Sequence, residues 1–170
     1  MFQAFLRLAA LLVVFTQAPA ILAQTSAQSF PAPPAIPYGP SINIESARKA
    51  AASAVAEARK NNWTMAIAVV DPGGYLVYFE KMDGTQTGSV DVSLDKARSA
   101  VLFRRPTKVF EDGLAAGGSG WRFLSLRGAV PVSGGIPIMV DGKIIGGIGV
   151  SGGTNVQDEA TAQAGVNAVK

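Results

Sequence analysis

The sequence contains no cysteine and no histidine, and only 16% of its residues are charged. Without cysteine there is no disulfide, no thiolate nucleophile and no thiolate metal ligand. Without histidine the usual general base near neutral pH and the commonest heme ligand are both missing. A serine nucleophile of the Ser-His-Asp type is therefore excluded, as is zinc held by nitrogen and sulfur. The shortage of charge, set against 48% hydrophobic residues, excludes a disordered chain and leaves a surface of the kind that oligomers cover. The net charge is only +3, and the one basic cluster, Arg98, Arg104, Arg105 and Lys108, is interleaved with no aromatics but Phe103 and Phe110. No nucleic acid partner is expected.

What is present begins with a leader. Arg7 precedes the apolar run Leu8–Phe15, and small residues follow Pro19 up to Ala23. This is the pattern of a secretory signal peptide over residues 1–23, cut near Ala23-Gln24. Thr16, Gln17 and Pro19 interrupt the run well short of the ~20 apolar residues that a span requires, so no stable membrane span is expected after processing. The expected location is periplasmic or secreted. Residues 24–40 hold FPAPPAIPYGP, a proline-rich linker with extended bias. Residues 41–170 have the length of one domain.

Within that domain, Asn43 is placed to cap a helix whose alanines recur at helical spacing up to Asn61-Asn62. Met65–Val70 and Tyr75–Glu80 flank the turn formers Asp71-Pro72-Gly73-Gly74 and predict a β-hairpin. A second helix is capped by Ser89 and ended by Pro106. A third follows Thr107 and stops at Gly117-Gly118. Trp121–Leu126 fits neither period, whereas Gly128–Val132, Ile136–Val140 and Lys143–Val150 are expected strands, the last two joined at Asp141-Gly142. A helix from about Val156 closes the chain. The order α-β-β-α-α-β-β-β-α, with tight turns between strands, predicts an α+β fold and not a doubly wound sheet.

Two motif matches fail on context. Gly147–Gly152 fits G-x-G-x-x-G, but a dinucleotide fold needs a further parallel strand and an acidic residue about 20 positions on, and the sequence ends at Lys170. Gly149–Gly153 fits G-x-S-x-G, yet its Ser151 has no histidine to take the proton. The consecutive glycines still offer backbone N–H groups near a helix start, a setting that suits a carboxylate or phosphate, or simply a tight turn.

Four segments in order carry a resemblance: Ala68-Val69-Val70-Asp71 with Gly74; Lys81-Met82-Asp83-Gly84; Asp95-Lys96-Ala97; and Gly134-Gly135-Ile136-Pro137 running into Asp141-Gly142, Gly146–Gly153 and Asp158. Together they resemble the GlcG/HbpS-like heme-binding family, the haem-degrading or DUF336-type domain. The resemblance implies a five-stranded antiparallel sheet packed by helices, assembly into a homo-oligomer, and binding of heme or a related flat anionic tetrapyrrole. The sequence departs from the family pattern in having no histidine for iron, and Glu80-Lys81-Met82-Asp83 is its nearest approach to a D/E-x-x-E motif.

A heme cofactor would accordingly be weakly held, by apolar contact and by propionates paired with Lys or Arg, with Met82 or a tyrosine as a weak metal ligand. Expected ligand-binding residues are Lys81, Met82, Asp83, Lys96, Ser151, Gly152 and Gly153; none is expected to be catalytic. Each has a plainer role as well: Lys81–Asp83 as a solvated strand end, Lys96 as an exposed helix lysine, Asp71 as a turn residue, and Asp158 and Glu159 as first-turn charges favoured by the helix dipole. Trp121 and Phe123 suit a core or subunit contact, or a flat ring. The alternatives to heme binding are an enzyme or accessory factor acting on a small organic acid, anchored by Lys96, Asp83 and Ser151–Gly153, and a structural oligomer.

Overall fold

The computed structural model describes residues 35–169; residues 1–34, with the expected signal peptide, and Lys170 lie outside the described set. The elements are α1 (Ile44–Lys60), β1 (Ala66–Val70), β2 (Leu76–Lys81), α2 (Ser89–Leu102), α3 (Lys108–Ala115), a 3-10 segment (Gly118–Ser125), β3 (Gly135–Val140), β4 (Lys143–Ser151) and α4 (Asn155–Asn167). Local signals account for most boundaries. Asn43 caps α1 by accepting the Ser46 N–H at 2.8 Å. Asp71 Oδ1 accepts the Gly73 and Tyr75 N–H groups, both at 2.9 Å, and so shapes the β1–β2 turn. Asp141 and Gly142, at φ 50° and 72°, make the left-handed two-residue turn that suits a hairpin between β3 and β4.

The strands form one antiparallel sheet in the order β2-β1-β4-β3. Both faces of its centre are covered. Ile67, Val69, Ile148 and Val150 pack with the alanine face of α1 and with Ala162 of α4, whereas Ala68 and Val70 meet Ala97 and Val101 of α2. All of β1 is buried, which is why it reads as an unbroken apolar run instead of an alternation.

α2 lies unusually close to the sheet. A methyl on Gly149 would stand 2.0 Å from the Ser93 carbonyl oxygen, one on Gly147 2.6 Å from Val101 Cγ1, and one on Gly135 2.3 Å from the Lys96 carbonyl oxygen. Glycine is required there for space. This accounts for the first two glycines of the G-x-G-x-x-G match: they admit a helix, not a pyrophosphate.

The α+β class stands, but the described residues contain four strands, not five, and the order of elements differs, with a 3-10 segment after α3 and no fifth strand following it. The expected strand at Gly128–Val132 is absent because its backbone is committed elsewhere. Gly128 has φ 86°, the Val130 N–H goes to Ser99 Oγ at 3.0 Å, and Pro131 has no N–H to give. Trp121–Leu126 lies mostly in the 3-10 segment, where Phe123 is buried edge-on to Phe110 while Trp121 points outward, 61% exposed. Two expected helix caps also differ. Gly88 precedes α2 with no side-chain cap, and Ser89 is buried beneath Ser151. Thr107 Oγ1 accepts from the Gly135 N–H at 3.0 Å, tying α3 to β3 instead of capping α3.

β1 covers β4 only from Gly147 to Ser151. The domain-side end of the proline-rich stretch takes the rest: Pro37 O accepts the Ile144 N–H at 2.9 Å and the Gly39 N–H donates to Ile144 O at 2.8 Å. Tyr38 donates to Val101 O at 2.9 Å with the Arg104 guanidinium stacked 4.7 Å from its ring.

The tight α2 seam sets an expectation. Gly149→Ala should destabilise the fold by about 1–3 kcal/mol or more in denaturant melts, since backbone atoms cannot yield to the new methyl. Gly88→Ala, which meets nothing within 4 Å, should change stability by less than about 1 kcal/mol.

Candidate functional site

Ala66 of β1 stands between Lys81 of β2 and Ser151 of β4, so the antiparallel register aligns these three residues across one end of the sheet. At about 4.8 Å per strand, Lys81 and Ser151 are roughly 10 Å apart. The chain leaving β2 is pinned there by the Met82 N–H, which donates to Met65 O at 3.0 Å. Gly152 passes so near β1 that a methyl on it would lie 2.2 Å from Thr64 O. Topology thus gathers Lys81, Met82, Asp83, Ser151, Gly152 and Gly153 at the same end.

Their environments differ sharply. Lys81, Asp83 and Gly153 are exposed, Met82 is half-buried against the apolar core, and Ser151 is buried. Ser151 Oγ donates to Ser89 Oγ at 3.2 Å, and Gln86 Nε2 donates to the same Ser89 oxygen at 3.1 Å. That chain of neutral groups contains no base able to activate Ser151. Lys81 takes part in no ion pair among the described residues.

Lys96 is not at the surface. Its side chain is 1% exposed, and its ammonium donates to Asp158 Oδ2 at 2.7 Å and to Val150 O at 3.1 Å. Asp158, also buried, accepts the Gly153 N–H on its other oxygen at 2.9 Å. A ligand would reach the Lys96 charge only by displacing Asp158. Asp158 keeps its expected place in the first turn of α4, but it does not form the side-chain cap. That task falls to Thr154 and Gln157, which form a capping box at the start of α4.

On the β3 side of this end lies a group of residues that sequence reading did not assemble. α3, the turn before β3 and the first turns of α4 enclose a cavity of about 410 Å³, lined in part by Lys108, Glu111, Ser133, Asn155, Val156 and Glu159. Glu111 Oε2 accepts the Ser133 N–H at 2.7 Å and also the Ser133 hydroxyl, and its Oε1 accepts Asn155 Nδ2 at 2.6 Å. Glu159 Oε2 accepts the Gly134 N–H at 2.8 Å. Gly134, at φ 110°, is wedged between the cavity and the ion pair: a methyl there would meet Asp158 Cβ at 2.8 Å and Lys96 Nζ at 3.2 Å.

The two carboxyls are displaced in opposite directions from their ordinary pKa. Burial pushes Glu111 up, but hydrogen bonds from Ser133 and Asn155 and the Lys108 charge outweigh it, and the group sits below its ordinary value. Burial holds Glu159 above its ordinary value, with Glu111 pushing the same way and the Gly134 N–H and Lys108 opposing. The only local signals for this site were that Glu111 and Glu159 each fall in the first two turns of a helix. Its parts are 22 and 44 residues apart. Among the described residues no group of three or more His, Cys, Asp or Glu could hold a metal ion, and no helix is long and apolar enough to cross a membrane.

Comparison with known proteins places this geometry. Residues 42–167 match the family model described as Haem degrading protein HbpS-like. Protein GlcG of Escherichia coli K12 is 42% identical over 95 residues, 56% of this chain and 69% of that protein. The crystal structure of HbpS superposes with a TM-score of 0.71 at 30% identity, covering 78% of this chain and 92% of that one. The PduOC:heme complex superposes at 0.69 with 24% identity, covering 76% and 96%, a likeness of fold.

Two outcomes follow from these environments. Lys96→Ala and Asp158→Ala should each cost about 3–5 kcal/mol in denaturant melts, because each strands a buried charge, while Lys96→Met combined with Asp158→Leu should recover most of that loss. Glu159 is the opposite case. Its raised pKa means the folded state favours the protonated form, so its contribution is present at low pH and lost as pH rises through the folded value. Glu159→Gln should therefore stabilise the protein more at pH 7 than at pH 3, measured as the difference in melting midpoint from the parent.

Proposed function

Because the chain belongs to the HbpS-like family, we propose that it is an exported binding protein for heme or a related flat, anionic tetrapyrrole, held without histidine or cysteine ligation. The observation that carries this reading is the family match over residues 42–167. The sheet end marked by Lys81, Met82, Asp83 and Ser151–Gly153 is the proposed docking place. Its exposed Lys81, in no ion pair among the described residues, suits a propionate, as the ion-paired Lys96 does not.

Iron in such a ligand would find few donors. Two thioethers lie at this end, and neither is open to a ligand: Met65 is fully buried beside Gly152, and Met82 packs against the core cluster. Binding would rest on apolar contact and charge, and would be correspondingly weak. Self-assembly belongs to the same reading, and the exposure of Trp121 at 61% and Leu124 at 63% on the 3-10 segment supports it. Export rests on the leader pattern of residues 1–23.

Hemin titration followed by absorbance tests the proposal. Saturable binding is expected, with a spectrum unlike that of a bis-histidine centre. Lys81→Ala should weaken it about 1.5-fold to fivefold, the range for a solvent-screened charge pair. Met82→Leu should leave the spectrum unchanged. Light scattering should give a mass above that of one chain. Absence of saturable binding would overturn the ligand assignment, and unchanged affinity in Lys81→Ala would overturn the docking place.

A further inference from the structure

The cavity between α3 and α4 has a character opposite to that of the proposed heme site. Val156 and Ala160 of α4, with the aliphatic stems of Lys108 and Gln163, give it largely apolar walls. The charges at its floor are the carboxylates of Glu111 and Glu159. Lys108 offsets them only in part, since its exposed ammonium is shared between Asp112, 2.7 Å away, and the two cavity carboxylates. Both oxygens of Glu111 already accept hydrogen bonds, whereas Glu159 Oε1 has no donor among the described residues.

We infer that this cavity binds a small organic cation, an alkylammonium whose hydrocarbon body lies on Val156 and Ala160 and whose N–H groups meet Glu159. An anion is disfavoured by two carboxylates in one pocket, and at the start of α4 the Thr154 capping box already engages the Thr154 and Gln157 N–H groups. A divalent cation would need more hard oxygens than Glu159 and the saturated Glu111 provide. An alkylammonium satisfies both features: its charge offsets two like charges held together, and its chain covers apolar wall. At about 410 Å³ the cavity is at the small end of the range for organic ligands, which fits a chain of a few carbons. Burial alone already makes the charged form of Glu159 costly, so an incoming cation has something to relieve.

The test is a titration of the isotope-labelled protein with n-pentylammonium, read by NMR at the backbone amides of Ser133, Gly134 and Asn155, with hexanoate and 1-pentanol as matched probes. Saturable shifts at those amides with pentylammonium, and none with hexanoate, are expected. Glu159→Gln, which keeps an acceptor for the Gly134 N–H, should weaken binding at least about tenfold, as for loss of a charge-assisted hydrogen bond. Ala160→Leu, which fills the cavity from an exposed position, should abolish it. Both variants should keep the dispersed spectrum and hemin binding of the parent. The inference is overturned if pentylammonium produces no saturable shift, if hexanoate or pentanol binds as well, or if Glu159→Gln or Ala160→Leu binds as the parent does. It is also overturned if hemin competes with pentylammonium, since the two ligands are assigned to different places; failure of hemin to bind at all would leave it intact.

Discussion

The buried pair of Lys96 and Asp158 is where the constraints of this fold converge. α2 can press onto β4 and β3 only because those strands offer Gly149, Gly147 and Gly135, and that pressure carries the Lys96 stem into the interior. An ammonium taken out of water costs several kcal/mol unless it is met by charge and hydrogen bonds. Here it meets Asp158 at 2.7 Å and the Val150 carbonyl, and Asp158 is steadied in turn by the Gly153 N–H. One contact therefore ties the middle of α2 to the end of β4 and the start of α4. The β4–α4 turn, α4's approach angle and the tight passage at Gly134 all have to accommodate it.

The two proposed binding surfaces inherit their placement from this arrangement. With Asp158 turned inward, the next residue on α4, about 100° further round the helix, directs its carboxylate to Gly134 and the cavity. Glu111 arrives from α3, which the Thr107 hydroxyl has fastened to β3. On the other side of β4 the register with β1 and β2 presents Lys81 in line with Ser151. The β4–α4 turn thus separates an end that presents the exposed Lys81 and Asp83 from a cavity that presents the carboxylates of Glu111 and Glu159.

How much of this could be read from the sequence follows the range of the interactions involved. Asn43, Asp71 and Asp141-Gly142 act on backbone within a few residues, so the first helix and both hairpins were legible. Gly128–Val132 has strand-like composition, yet its hydrogen bonding goes to Ser99 on a distant helix, and nothing local announces that. Lys96 is harder still. Its neighbour Asp95 is exposed, and its partner lies 62 residues away, so only the assembled seam explains why the lysine is buried. The family motif brought Lys96 to notice, but a motif residue holding the scaffold and one holding a ligand look alike in sequence. The cavity carboxylates escaped for the related reason that first-turn acids already have a sufficient local explanation in the helix dipole.

The missing histidine acquires a sharper meaning against this background. A site that relied on a sulfur or hydroxyl axial ligand would have to place that donor with its lone pair free, and the Lys81 end does not do that. Ser151 is bonded to Ser89, and Met82 is packed against the core. What the end does present is an exposed ammonium and the backbone of Gly152 and Gly153, groups that recognise the periphery of a ligand and not its metal. A tetrapyrrole bound in this way would be recognised by shape and by carboxylates alone, and iron would contribute little to its affinity. On that logic the metal-free porphyrin should compete with hemin for the same place, a behaviour that an iron-ligating relative would not share.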